Sequence, residues 1–174
     1  PPMKPMKPMN DMLAPWLAET DWFDYSHPRV AAFVAANSTP GATDRDNAIR
    51  LFYAVRDGIR YDPYFIRLEP QTYRASYVLE AGRGFCVQKG ALYTAACRAA
   101  GIPARPGYAD VRNHLTTERL NALIETDLFI WHGYVEVLLD GRWVKATPVF
   151  NRELCDRFGV LPLEFDGEQD SVFH

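Results

Sequence analysis

The run from Cys86 to Ala100 constrains the fold more than any other stretch of this sequence. It is alanine-rich, carries Leu92, Ala96 and Ala99 at helical spacing, and is closed by Gly101-Ile102-Pro103, a glycine stop followed by a proline. On its upstream side Ala81-Gly82-Arg83-Gly84 supplies a tight glycine turn, so the helix is expected to begin at Cys86. Past the proline the periodicity changes. Arg105 to Val111, Gly133 to Leu139 and Trp143 to Ala146 read as strands, with Asp140-Gly141 as the hairpin turn between the last two.

Helical signals dominate the chain before Cys86. Thr43, followed by Asp46, starts an amphipathic helix carrying Ala48, Leu51, Phe52, Val55 and Ile59, and Asp57-Gly58 and Asp62-Pro63 mark its end. Tyr64 to Tyr73 reads as an aromatic-rich loop with a short strand, and Ala75 to Glu80 as a second helix. Helices first and antiparallel strands afterwards predict an α+β domain with segregated layers, in which the Cys86 helix packs on the sheet. The opening PPMKPMKPMN, with four prolines in ten residues, cannot hold a helix. Residues 1–37 are therefore expected to form an arm and anchor segment, with Met12 to Tyr25 packing as a short element, ahead of one domain over 38–174.

Composition excludes several function classes. A chain of 174 residues buries roughly 70% of its unfolded surface and can build its own core. A formal charge of -3 and no clustered Lys or Arg argue against nucleic acid as a partner. The apolar runs are far shorter than the ~20 residues of a membrane span, and no apolar signal core opens the chain, so the cytoplasm is the default compartment. Three widely spaced cysteines do not make a disulfide framework and read as free thiols. The ending Glu164-Phe165-Asp166-Gly167 to His174 carries no stop signal, so the chain reads as a candidate piece of a longer protein.

Cys86 is the residue whose position suggests chemistry. At a helix start, unpaired backbone N–H groups and the positive end of the helix dipole favour a thiolate and can also receive the oxyanion of a tetrahedral intermediate. The competing reading is a small buried hydrophobe, which is the expectation for Cys97 and Cys155. His132, just before the alternating Gly133-Tyr134-Val135-Glu136-Val137, is expected at or near a strand start, where an imidazole can face a helix terminus. His114 is a rival of similar appearance, and His27 and His174 lie in poorly patterned segments. A metal site built from Cys86, His132 and a further ligand lacks Cys-x-x-Cys or His-x-His spacing. No cofactor is expected.

Four linked motifs carry a resemblance. Gly84-Phe85-Cys86-Val87-Gln88-Lys89-Gly90, Gly101-Ile102-Pro103-Ala104-Arg105, His132-Gly133-Tyr134-Val135-Glu136-Val137 and Asp140-Gly141-Arg142-Trp143-Val144 resemble, in order and spacing, the core signature of the transglutaminase-like superfamily over roughly Ala48 to Pro148. The resemblance implies a papain-like fold and a Cys-His-Asp site, with Cys86 as nucleophile and His132 as general base and then acid, acting on peptide or protein amides. Where the family has its aspartate, after the strand Trp and before Pro148, this chain has Thr147. Thr147 and Asn151 are the candidates for orienting the imidazole in its place, since a neutral group can fix the tautomer though it stabilises imidazolium less. Gln71 and Tyr77 are the candidate oxyanion side chains. Glu136, Asp127 and Asp110 read as structural or surface charges. Hydrolysis is favoured over transamidation, because no calcium loop or second-substrate module is evident. The alternative is a domain that lost the aspartate and, with Phe65, Tyr73, Phe129 and Trp131, became a protein- or peptide-binding module.

Overall fold

A computed structural model describes residues 9–112 and 128–172. Its elements in chain order are α1 (Met9–Leu13), α2 (Pro28–Asn37), α3 (Asp44–Gly58), β1 (Arg60–Tyr61), α4 (Ala75–Ala81), β2 (Arg83–Gly84), α5 (Cys86–Ala99), β3 (Ala104–Arg112), β4 (Leu128–Leu139), β5 (Arg142–Ala146) and α6 (Arg152–Phe158). Helix α5 begins at Cys86 and is buried without interruption from Gln88 to Arg98. A helix hidden on every side needs small residues where neighbours come close. At Gly90 even an added Cβ would stand 3.6 Å from Val135 of β4. Helices α2, α3 and α4 cover one side of α5, and β3 and β4 cover the other. This is the α+β layering that the order of signals predicts.

The core follows the apolar periodicities. Leu51, Phe52 and Val55 of α3 and Val30 and Val34 of α2 meet Leu92, Tyr93 and Ala96 of α5, while Val135, Val137 and Val144 close it from the sheet. Thr43 caps α3, its Oγ1 accepting from the Asp46 N–H at 3.1 Å. At the other end of α3 the fully buried Lys89 of α5 donates to the carbonyls of Arg56 and Ile59, at 2.8 and 2.5 Å, and burial pulls its pKa down to about 7. Helix α5 is thereby tied to the end of α3.

The sheet is antiparallel in the order β3-β4-β5. Asp140 and Gly141 both have positive φ, 49° and 79°, as a type I′ hairpin between right-twisted strands requires. Two sequence expectations shift. The short strand foreseen within Tyr64–Tyr73 lies earlier, at Arg60–Tyr61, because that pair finds a parallel partner in Arg83–Gly84, whereas Pro70–Tyr73 forms a 3-10 turn. Strand β4 begins at Leu128 and not near His132, so the histidine sits inside the strand. Upstream, Phe23 and Tyr25 pack onto the core, the Ala75 N–H donates to the Trp22 carbonyl at 3.0 Å, and Arg98 Nη1 donates to the Ala18 carbonyl at 2.6 Å. No described helix is long and apolar enough to cross a membrane.

Candidate active site

The Gly-Phe-Cys turn is built by its own neighbours. Gln88 folds back so that its Oε1 accepts from the Phe85 N–H at 3.2 Å, and its Nε2 donates to the Thr72 carbonyl at 2.9 Å. A Cβ at Gly84 would meet the Gln88 side chain at 3.1 Å, so the glycine makes room for that brace. Parallel pairing of Tyr61 with Gly84 then brings a tyrosine alongside the residues leading into Cys86. The Tyr61 N–H donates to Asn151 Oδ1 at 3.1 Å, and the Tyr61 ring meets Phe150 edge-on at 4.6 Å.

Strand β4 meets the first turn of α5 at Gly133. A Cβ there would stand 3.4 Å from Cys86 C and from Val87 N and Cα, so the strand that carries His132 lies directly against the turn that carries Cys86. The N–H groups of Gly133, Val87 and Cys86 itself act on the sulfur and favour its anion, but burial outweighs them and pushes the thiol up. This corrects the expectation of a preformed thiolate, since the helix start supplies the donors while the packing that positions Cys86 also removes water. His132 is only 4% exposed, and burial pulls its imidazole down to about 4. Burial thus disfavours the charged form of each side chain, and the neutral imidazole is the form in which His132 can accept a proton.

A bulge precedes the histidine. Ala109 pairs with His132 but Val111 with Phe129, so Asp110 alone opposes Ile130 and Trp131. Trp131 takes up the irregularity with φ 59° and donates its N–H to Asp110 Oδ1 at 2.9 Å. Asp110 is thus more than a strand-end charge: its carboxylate fixes the backbone one residue before His132.

The remaining predicted positions divide clearly. Strand β5 ends at Ala146, which pairs with Val135, so Thr147 lies just beyond the strand and is buried. Its Oγ1 is buried without a hydrogen-bond partner among the described residues. Asn151 stands at the N-cap position of α6 without a side-chain cap bond, its Oδ1 accepting instead from the Tyr61 N–H. Gln71 is exposed on the 3-10 turn, and Tyr77 stacks on Phe65 at 6.4 Å. Cys97 and Cys155 are buried, and Cys97 is pushed up to about 12 by burial. Glu136 pairs with Arg105 at 2.5 Å, and His27 caps α2 by accepting from the Arg29 N–H at 3.2 Å. His114, Asp127 and His174 lie outside the described residues. Sequence reasoning missed Tyr61 and Tyr108, whose phenols lie near enough to Cys86 that charge on the sulfur raises their pKa further above the level set by burial. The alternation of β3 could have flagged Tyr108, but only strand register shows that it pairs with Gly133.

Beside this turn opens a cleft of about 290 Å3, reaching from Val87 to Tyr108 and Tyr73. A family model of the transglutaminase-like superfamily matches residues 31–148, a span that contains Cys86, His132 and Thr147. Among solved structures the chain is similar to a proposed cysteine protease from Cytophaga hutchinsonii, with a TM-score of 0.59 and 16% identity, over 77% of this chain and 40% of that one. A proposed protease from Parabacteroides distasonis ATCC 8503 aligns with a TM-score of 0.49 and 15% identity, over 78% of this chain and 25% of that one. This chain therefore spans less than half the length of either structure. No curated protein sequence matches it.

Proposed function

The chain belongs to the transglutaminase-like superfamily, and from that premise we propose that it is a cysteine-dependent hydrolase of peptide or protein amides that works through a thioester on Cys86. The observation that carries the reading is the contact at Gly133, which holds the strand of His132 against the first turn of α5. In this mechanism His132 takes the thiol proton as sulfur attacks the amide carbonyl, and then delivers it to the departing amine. Water, activated by the same imidazole, releases the acid and restores the thiol. Attack creates charge where the Cys86, Val87 and Gly133 N–H groups already gather, so the helix start acts on the anion that forms during reaction.

Thr147 is proposed as the residue that orients the imidazole because it stands in the family's aspartate position, a role that requires its buried hydroxyl, unpartnered among the described residues, to bond the ring when substrate is bound. Asn151 acts in this proposal through Tyr61, which it holds beside Cys86. For the oxyanion side chain, Tyr61 is favoured over Gln71 and Tyr77, because its pairing with Gly84 sets it alongside the residues leading into Cys86 and Asn151 holds its backbone there. Hydrolysis is proposed over transfer to a second amine, in keeping with the protease description of the Cytophaga neighbour.

Release of amine from a peptide library, followed with wild type and with Cys86→Ala and His132→Ala, tests the proposal. Turnover that both substitutions abolish is expected. Turnover that survives Cys86→Ala refutes it. Thr147 in the aspartate position favours the alternative of a binding module, which predicts peptide binding with no amine release by any form of the protein.

A further inference from the structure

The cleft beside α5 has a composition and a position that suggest an occupant. Its floor is Val87 and Ala91, one helical turn apart, and Val87 directly follows Cys86. One wall is Pro106 and Tyr108, alternate residues of β3 that share a face of the sheet. The other is aromatic: Trp22 meets Tyr73 edge-on at 6.4 Å, and Tyr73 meets Phe85 at 6.0 Å. None of the described lining residues carries a charge. The rim leaves Trp22 43% and Tyr108 50% exposed, large aromatic surface that an occupant would cover.

The aromatic wall is anchored to the core and part of it lies upstream of the family match. Trp22 and Phe23 precede residue 31, where the family match begins. Their segment is fixed by the Trp22 carbonyl bond to Ala75, by Asp24 accepting from the Ser76 N–H at 3.0 Å, and by the Arg98 guanidinium lying 4.5 Å over the Phe23 ring. A cavity near 290 Å3 sits at the small end of ligand pockets, which run from roughly 300 to 1,000 Å3. It suits one large side chain rather than a length of peptide.

We infer that this cleft is a specificity subsite that receives an aromatic or large aliphatic side chain of the acyl donor next to the amide attacked by Cys86. The inference rests on the proposed hydrolase reading for the acyl donor, but the cleft's preference can be measured apart from catalysis. Charged side chains are disfavoured there, because they would lose water without gaining a partner. Selectivity of about tenfold to a hundredfold is expected for a pocket of this kind.

Two measurements test it. In the Cys86→Ala protein, N-acetyl-phenylalanine amide should shift the methyl resonances of Val87 and Ala91, and N-acetyl-aspartate amide should not. In wild type, a phenylalanyl chloromethyl ketone should alkylate Cys86 at least about tenfold faster than its aspartyl counterpart. Trp22→Ala, which changes a rim residue, and Ala91→Phe, which fills the floor, should each erase that preference while leaving the iodoacetamide rate within about twofold. Equal rates for the two ketones in wild type, or a preference that both variants retain, overturns the subsite. If Cys86 is not a nucleophile, both ketones and iodoacetamide fail alike, yet the methyl shifts still report on the cleft. Normal alkylation without phenylalanine-dependent shifts overturns the cleft alone.

Discussion

The burial of His132 makes a quantitative prediction about acid sensitivity. Its imidazole falls from an ordinary value of 6.5 to about 4 in the folded protein, and the cause is removal from water at 4% exposure. Between those two values the unfolded chain binds a proton that the folded protein does not. Native stability from this group is therefore fully present above about pH 6.5 and is lost as pH falls toward about 4. Going from pH 7 to pH 4.5 should cost about 2 kcal/mol through His132 alone. Acidic groups also lose native partners over this range, so the measurement is a difference. Urea unfolding of wild type and His132→Gln at both pH values, with equal m-values, isolates the histidine. Wild type should lose about 2 kcal/mol more than the variant on acidification. Identical losses would show that His132 titrates normally, and the buried, neutral base proposed here would be refuted.

Gly133→Val should be far more damaging than Gly133→Ala, since a Cβ already reaches contact distance at 3.4 Å from α5 and the valine methyls must push strand and helix apart. A loss of about 1–3 kcal/mol and about a hundredfold fall in amide turnover are expected, read by thermal melts and product assay. Asp110→Ala removes the acceptor for Trp131 N–H, and should lower kcat about tenfold with KM little changed, while Asp110→Asn retains most of the activity. Lys89→Met leaves the Arg56 and Ile59 carbonyls without their buried donor and should destabilise by about 2–3 kcal/mol in chemical denaturation.

Signals confined to a few consecutive residues were readable directly. The glycine turn, the alanine-rich helix and its Gly-Ile-Pro stop set α5 to within a residue, and Asp140-Gly141 set the hairpin, because capping and turn chemistry are local. Cys86 and His132 were legible as candidates through motif and spacing. The third position was legible as a departure, Thr147 in place of a carboxylate, but not as a location relative to the imidazole.

What only the tertiary structure decided depends on contacts between residues far apart in the chain. The push toward the uncharged forms of Cys86 and His132 follows from burial by several elements at once, which the helix-start argument by itself does not contain. Asp110 reaches Trp131 only because a bulge shifts the β3-β4 register, and Tyr61 comes beside Gly84 only through parallel pairing of two short strands. The aromatic wall of the cleft is formed when Trp22 folds onto Tyr73, an encounter that no local pattern encodes. The sequence by itself determined where the candidate nucleophile and its candidate base stand along the chain. Packing decided their burial, their neighbours and the shape of the cleft beside them, because desolvation and register are properties of the assembled layers and not of any single segment.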